Sequence, residues 1–331
     1  MKRLSLCHTP TPLWHHAALD ALVGCEVWVK RDDMTSGAAA GNKIRKLEYL
    51  MADALARGAT AVITCGGLQS NHARATALVA RELGLSPVLL LRTKDPSAPQ
   101  PLSGNLLLDR LVGADVRLIT PEQYRARAVL MAQVADELSA RGEVPYVIPE
   151  GGSNGLGSFG YVAAVEELFE QQIAGDLPAE VDLLAVACGS GGTAAGLALG
   201  LARCPSVARR VAAFAVCDDR AYFERAISSI VQEARALDDS LPEPAPLDIH
   251  DEFKGPAYGV ASDEQLDFLT RVARVSGLVL EPTYTGKALF GLSRLHDKPA
   301  RALFLHTGGL PGLLAEGEVM AAAWARAGAG G

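Results

Sequence analysis

The chain has 331 residues, 49% apolar and 21% charged, with a net charge of −7, which is long enough for two domains or one large α/β domain. The acidic balance, with no basic stripe interleaved with aromatics, argues against nucleic acid as a partner. No run reaches the roughly 18 apolar residues of a membrane span, and the N-terminus lacks the apolar core of a signal peptide. The six cysteines (Cys7, Cys25, Cys65, Cys188, Cys204 and Cys217) form no CxxC pair. No metal site is expected from them, and their scatter fits reduced thiols in a cytoplasmic protein.

Strand and helix patterns alternate along the chain. Cys25–Lys30 reads as a strand, and Lys46–Arg57 as a helix with Leu47, Leu50, Met51 and Leu55 at helical spacing, stopped by Gly58. Strands are expected at Ala61–Cys65, Pro87–Leu91, Asp115–Ile119 and Pro145–Ile148. The helices between them are Asn71–Leu83, one beginning at Leu106–Leu111, and a long Pro121–Arg141 opened by its proline. The alternation resumes with helix Phe159–Gln171, strand Leu183–Cys188, helix Ala194–Ala202 and strand Val211–Val216. Helices Asp263–Val275 and Lys287–Leu295 and strand Ala302–His306 follow. The proline-rich, acidic stretch Leu237–Asp251 reads as a long surface connection, and the tail Ala321–Gly331 is expected to fray at its end.

Short apolar strands between amphipathic helices imply an α/β protein with mostly parallel sheets covered on both faces. Four strands end in glycine-rich turns, after Thr64, Ile148, Ala187 and His306. Ligands of such sheets bind beyond the carboxyl ends of the strands, so these turns are expected to converge on one cleft. The three or four βα units between about Lys46 and Pro149 read as a small domain, residues 46–150. It is inserted into a large one made of residues 1–45 and 151–331.

Lys43, at a helix start after the small-residue run Ser36–Gly41, reads as an amine placed to attack a carbonyl, as in enzymes that use pyridoxal phosphate. Gly189-Ser190-Gly191-Gly192-Thr193, between a strand and a helix, offers backbone N–H groups and hydroxyls to an anion. The same segment fits a loose dinucleotide fingerprint, Gly189-x-Gly191-x-x-Ala194, but its candidate acids, Asp218 and Asp219, come late. Gly151-Gly152-Ser153-Asn154-Gly155 matches GxSxG, with His306 as a possible base, although a connecting loop is the simpler reading. Ser70 or Asn71 can cap the helix they open, and Ser70-Asn71-His72 can also receive a carboxylate. Tyr258 and Tyr284 sit in Gly/Pro loops of a chain poor in aromatics, which favours a site over packing. Arg45, Lys46 and Lys287 read as solvated or anion-facing. A pyridoxal-phosphate lyase, a serine hydrolase using Ser153 and a dinucleotide-binding protein all remain open on these features.

Taken in order, the segments resemble one family of fold type II pyridoxal-phosphate enzymes, that of 1-aminocyclopropane-1-carboxylate (ACC) deaminase, D-cysteine desulfhydrase and L-cysteate sulfo-lyase. The segments are Thr9–Leu13, Lys30–Asp33, Gly41–Glu48, Gln69–His72, Tyr146–Pro149, Gly189–Thr193, Gly255–Gly259, Tyr284–Lys287 and His306–Gly309. The resemblance implies two open, twisted, mostly parallel sheets flanked by helices, with the cofactor in the cleft between domains, and a homodimer acting on a small amino acid. Lys43, Ser70, Tyr258 and Tyr284 are then the catalytic residues, with Lys43 holding the cofactor covalently. Asn71 contacts its phenolic oxygen. Ser190, Gly191, Gly192 and Thr193 hold its phosphate, and Tyr284, Thr285 and Thr307 surround its ring. Ser70, Asn71 and His72 receive the substrate carboxylate. ACC deaminases resemble Tyr-Glu-Gly-Lys where this chain has Tyr284-Thr285-Gly286-Lys287, and carry Leu where it has Thr307. Small hydroxyl residues at both places look like a desulfhydrase-type carbon–sulfur lyase, with L-cysteate sulfo-lyase or ACC deaminase as alternatives.

Overall fold

The computed structural model describes residues 1–329. In chain order its strands are β1 (Leu13–His15), β2 (Glu26–Lys30), β3 (Ala61–Gly67), β4 (Ser86–Arg92), β5 (Asp115–Ile119), β6 (Pro145–Val147), β7 (Leu183–Cys188), β8 (Val211–Ala215), β9 (Leu247–His250) and β10 (Arg301–Leu305). They form a six-stranded sheet, β1-β2-β10-β7-β8-β9, and a four-stranded sheet, β5-β4-β3-β6. Only β1 pairs antiparallel, with β2. The smaller sheet draws every strand from residues 61–147, and the larger draws its strands from both sides of that segment.

Alternate side chains of β7 enter different cores. Leu184, Val186 and Cys188 pack with Val162, Val165, Leu197 and Leu199 of the helices Gly155–Ala174 and Gly192–Arg203. Leu183, Ala185 and Ala187 pack with Leu269, Val272 and Leu289 of the helices Asp263–Ser276 and Thr285–Arg294. This two-residue period on a strand without polar positions is the signature of a sheet buried on both faces. In the smaller sheet, Val62 faces Val79 and Met51, while Ile63 faces Met131 and Val134.

Several expectations need correction. The proline-rich stretch Leu237–Asp251 is not all connection, because it contains edge strand β9, of which Ile249 alone is fully buried. An edge strand of four residues leaves little alternation to read. The expected helix Pro121–Arg141 is two, Pro121–Arg125 and Arg127–Ala140, broken at Ala126. Strand β1 and the helices Ala17–Val23, Arg220–Leu237, Leu310–Leu314 and Gly317–Ala329 were not anticipated. Arg220–Leu237 carried a usable signal, since Phe223, Ile227, Ile230, Val231 and Ala234 recur at helical spacing and form its buried face. The tail is helical through Ala329, and its end, where fraying is expected, lies outside the described residues. No helix among the described residues is long and apolar enough to cross a membrane.

Candidate active site

The carboxyl ends of strands from both sheets open onto one cavity of about 540 Å³. Gly66 and Gly67 at the end of β3, Glu150 and Gly151 after β6, Gly189–Gly191 after β7 and Thr307 after β10 all line it, so the four glycine-rich turns do converge. Lys43, Ser70, Asn71, His72, Ser190, Thr193, Tyr258 and Tyr284 line it too.

Lys43 is carried on the first turn of helix Asn42–Ala56. The chain enters that helix through Gly41 at φ 127°, where a Cβ would lie 2.9 Å from the Thr307 carbonyl oxygen. Only glycine suits such a left-handed approach. Asn42 locks the entry: its N–H donates to Thr307 O (3.1 Å) and its Nδ2 to Thr193 Oγ1 (3.1 Å). The lysine's helix is thereby joined to the loop after β7 and the turn after β10. Burial pulls the Lys43 amine down to about 8, and the Glu150 carboxylate partly opposes this. Among the described residues Lys43 Nζ has no hydrogen-bond partner. It is an amine that loses its proton far more readily than a surface lysine, in reach of a cavity.

Residues 189–193 form the turn from β7 into helix Gly192–Arg203, and Gly189, Ser190, Gly191, Thr193 and Ala194 line the cavity at the start of that helix. Beside it lies Lys46, fully buried, its Nζ donating to Gly151 O and Ser153 Oγ, both at 3.1 Å. A Cβ at Gly192 would sit 2.6 Å from Ser153 Oγ and 2.9 Å from Lys46 Nζ, so the residue must be glycine for loop and lysine to meet. Burial, with Lys43 adding to it, pushes the Lys46 amine well below its ordinary value. A buried lysine amine beside a helix N-terminus, with no carboxylate on it among the described residues, offers donors and latent positive charge to an anion. A phosphate fits that chemistry.

Tyr258 and Tyr284 share a hydrogen bond between their hydroxyls (2.6 Å). Burial raises both, Tyr258 to about 12, so both stay protonated at neutral pH. The Arg92 guanidinium, at the end of β4, lies 4.7 Å over the Tyr124 ring and 5.1 Å over the Tyr258 ring. Glu150 accepts from Tyr124 Oη (2.6 Å) and pairs with Arg127 (3.1 Å).

Other expected residues take different places. Thr285 does not line the cavity; it is fully buried, with its hydroxyl on Glu281 N (3.0 Å) and beside Glu281 Oε1 (3.4 Å). Gly192 is buried behind the cavity wall. Ser70 caps its helix, accepting from Ala73 N–H (3.1 Å). His72 borders the cavity, but its Nε2 is 2.8 Å from Thr64 Oγ1, whose proton goes to Ile148 O. The histidine must therefore be the donor there, which leaves Nδ1 as a bare, buried acceptor without a partner among the described residues. Burial and the two nearby lysines keep the ring neutral, so it presents no donor to a carboxylate.

The solvated reading of three cations is overturned. Arg45 is buried against Asp32 (2.8 Å) and Glu167 (2.8 Å), and Lys287 donates to the carbonyls of Val216, Lys254 and Ala257. The third is Lys46. Ser153 and His306 do not form a nucleophile–base pair. Ser153 Oγ bonds Lys46, Ser190 and the Gly192 N–H, while His306 accepts from Gly308 N–H and approaches Val279 O. Lys46, Arg92, Tyr124 and Glu150 were not picked from the sequence as site residues. Arg92 and Glu150 follow strand ends, the one signal that pointed to them.

Residues 4–308 match the family model for pyridoxal-phosphate dependent enzymes. The chain is 42% identical over 328 residues to the bifunctional D-cysteine desulfhydrase/1-aminocyclopropane-1-carboxylate deaminase of Arabidopsis thaliana, a mitochondrial protein. That alignment covers 96% of this chain and 80% of the relative. It is 39% identical over 323 residues to D-cysteine desulfhydrase of Serratia proteamaculans, covering 95% of each. A crystal structure of an ACC deaminase homologue superposes with a TM-score of 0.88 at 35% identity, covering 98% of this chain and 96% of that one. With its amine in a cavity beside a glycine-rich turn, the chain belongs to the pyridoxal-phosphate dependent enzymes, as a lyase of the family that contains ACC deaminase and D-cysteine desulfhydrase.

Proposed function

We propose that the protein eliminates the β-substituent of a small amino acid, with D-cysteine as substrate and pyruvate, hydrogen sulfide and ammonia as products. The observation that carries the reading is the half-buried Lys43 amine, with its proton affinity lowered to about 8, sharing one cavity with the protonated Tyr258–Tyr284 pair. Together they supply a base and an acid in the same cavity. The choice of D-cysteine is supported by the desulfhydrases among the relatives and by threonines at 285 and 307.

Pyridoxal phosphate, when bound, supplies an electron sink for the α-carbon. Lys46, the Gly189–Thr193 turn and Ser153 would hold its phosphate, and Lys43 would hold it covalently until substrate arrives. The freed Lys43 amine then takes the α-proton at Nζ. One Tyr258–Tyr284 hydroxyl bonds the other, which leaves a single O–H to protonate a departing thiolate. Asn71 and the hydroxyl proton of Ser70 orient the substrate.

One observation favours a second reading, L-cysteate with sulfite release. Arg92 is held by two rings and has no carboxylate partner among the described residues, and Arg125 also faces the cavity. Such cations suit a sulfonate. The experiment is a panel of D-cysteine, L-cysteine, L-cysteate, D-serine and ACC, with sulfide, sulfite and keto acid assayed separately. Sulfide from D-cysteine at the highest kcat/KM is expected, and its absence alongside activity on another member refutes the substrate assignment. Turnover retained by Lys43→Ala would refute the chemistry itself. Six free thiols support a reducing, cytoplasmic setting, and the family resemblance supports a homodimer.

A further inference from the structure

We propose that Asn105 is a positioning residue that fixes the side-chain amide of Asn71 so that its N–H end, and not its oxygen, faces the cavity. The proposal rests on the reading of Asn71 as a cofactor contact. Asn71 is partly exposed to the cavity. A primary amide presents either a donor or an acceptor depending on a half-turn about its last bond. What Asn71 offers to a ligand is therefore decided by whatever holds its other end.

Asn105 holds it. This residue lies on the first turn of helix Gly104–Leu111 and is completely buried. Its Nδ2 donates to Gln69 O at 2.9 Å and to Asn71 Oδ1 at 3.0 Å. The orientation follows from chemistry alone. A backbone carbonyl only accepts, so the end of Asn105 that meets Gln69 O must be its NH2 group. The second proton of that same group reaches Asn71, so Asn71 must answer with its oxygen. Its own Nδ2 is then the free end. Asn105 is in turn held by Gln69, whose Oε1 accepts from the Asn105 N–H (2.8 Å) and whose Nε2 donates to Ser103 O (3.1 Å). A donor facing the cavity suits an ionised oxygen, such as the cofactor's phenolate, whereas a carbonyl oxygen there would repel it.

The test compares Asn105→Ala, Asn105→Ser and Asn105→Asp holoenzymes, with cofactor dissociation and the visible absorbance of the lysine-bound cofactor against pH as readouts. Once ionised, Asn105→Asp offers only acceptors, so at pH values above its buried carboxyl's pKa it should turn the Asn71 amide over. Asn105→Ala merely frees it, and Asn105→Ser keeps one hydroxyl donor. Cofactor affinity should fall about 10-fold in Asn105→Ala, the loss of one oriented hydrogen bond to a charged group. It should fall further in Asn105→Asp and less in Asn105→Ser, with the pH midpoint of the absorbance rising in the same order. In an Asn71→Ala background the three should become indistinguishable. Equal spectra and affinities across the series, or the same ordering without the Asn71 amide, would overturn the proposal. Wild-type binding and absorbance in Asn71→Ala alone would instead remove the reading of Asn71, and the proposal with it. If Asn105→Asp does not fold, the alanine–serine difference and its loss in Asn71→Ala decide the matter.

Discussion

The depressed Lys43 amine makes a prediction that does not need turnover. Imine formation requires the neutral amine, so the rate at which apoenzyme takes up pyridoxal phosphate should follow the fraction of Lys43 that has lost its proton. With the amine near 8 instead of 10.5, that fraction at pH 7 is about 9%, roughly 300 times that of an ordinary lysine. The second-order loading rate, read by stopped-flow absorbance at low cofactor, should rise about tenfold per pH unit from pH 6.5 and level off above about 8. The cofactor's phosphate completes its second ionisation near pH 6, so the limb above neutrality reports the lysine. Glu150 tests the cause. Its carboxylate raises the Lys43 value against burial, so Glu150→Gln should move the midpoint downward. The shift should be only a fraction of a unit, because Arg127 and Tyr124 already engage that carboxylate. A wild-type midpoint at or above 10 would refute desolvation of Lys43, and an upward shift in Glu150→Gln would refute the sign of the charge effect.

Lys46→Met should act with opposite signs on two properties. Cofactor binding, measured by equilibrium dialysis, should weaken about 10- to 100-fold through loss of a charge-assisted contact, while the apoprotein should be at least as stable in urea. Because burial depresses Lys46, the unfolded chain holds the proton that the folded one sheds. Apoprotein stability should therefore rise with pH up to about 10.4, and this slope should flatten in the variant. Arg45→Leu leaves Asp32 buried without its cation and should cost about 3–5 kcal/mol in denaturant unfolding, with Asp32→Asn/Arg45→Leu recovering part of it. The Arg45 charge helps hold Asp32 below its usual value against burial. That pair's contribution is present above about 3.9 and is lost as pH falls through the folded value. Thr285→Glu with Thr307→Leu should gain ACC ring-opening activity, seen as keto acid from ACC. The new carboxylate would, however, meet Glu281, which burial already raises to about 7 and which lies 3.4 Å from Thr285 Oγ1. A lowered melting temperature that Glu281→Gln restores is therefore expected.

The order of the sheet-forming strands was legible because β3, β4, β7, β8 and β10 are short apolar runs bounded by turns, which few other structures tolerate. Strand β9 was not, because four residues after prolines, three of them half-buried, look like a loop until a neighbouring strand pairs with them. In the same way the ends of β3, β6, β7 and β10 told where the cavity lies. They did not tell which charged residues were buried there. Lys43, Lys46 and Lys287 are the same side chain in sequence, and only the packing of other elements makes one a free amine, one a donor to Gly151 O and Ser153 Oγ, and one a clasp on three carbonyls. Helical spacing did contain a partial answer. Lys43 and Lys46 stand one turn apart and share a face, while Asn42 and Arg45 share the adjacent one. The structure turns the first pair to the cavity and the Gly189–Thr193 turn, and uses the second to fasten the helix to Thr307, Thr193, Asp32 and Glu167.

The run Ser70-Asn71-His72 shows why adjacency in sequence overstates a site. Consecutive residues at the start of a helix diverge by about 100°, so three neighbours cannot all aim polar ends at one ligand. Ser70 accepts from Ala73 N–H, and His72 turns its donor to Thr64 and keeps a neutral ring. Asn71 is left as the side chain whose amide reaches the cavity with a donor, and that orientation is set by Asn105, far away in sequence. A carboxylate at this end of the cavity must then be met by the Asn71 amide, the Ser70 hydroxyl proton and backbone N–H groups. All of these are neutral, so discrimination here depends on geometry. The cations that can sense a substrate's charge, Arg92 and Arg125, border the cavity on other elements. The choice between a thiol and a sulfonate leaving group is therefore expected to respond to Arg92→Leu, and the handling of the α-carboxylate to Asn71→Ala.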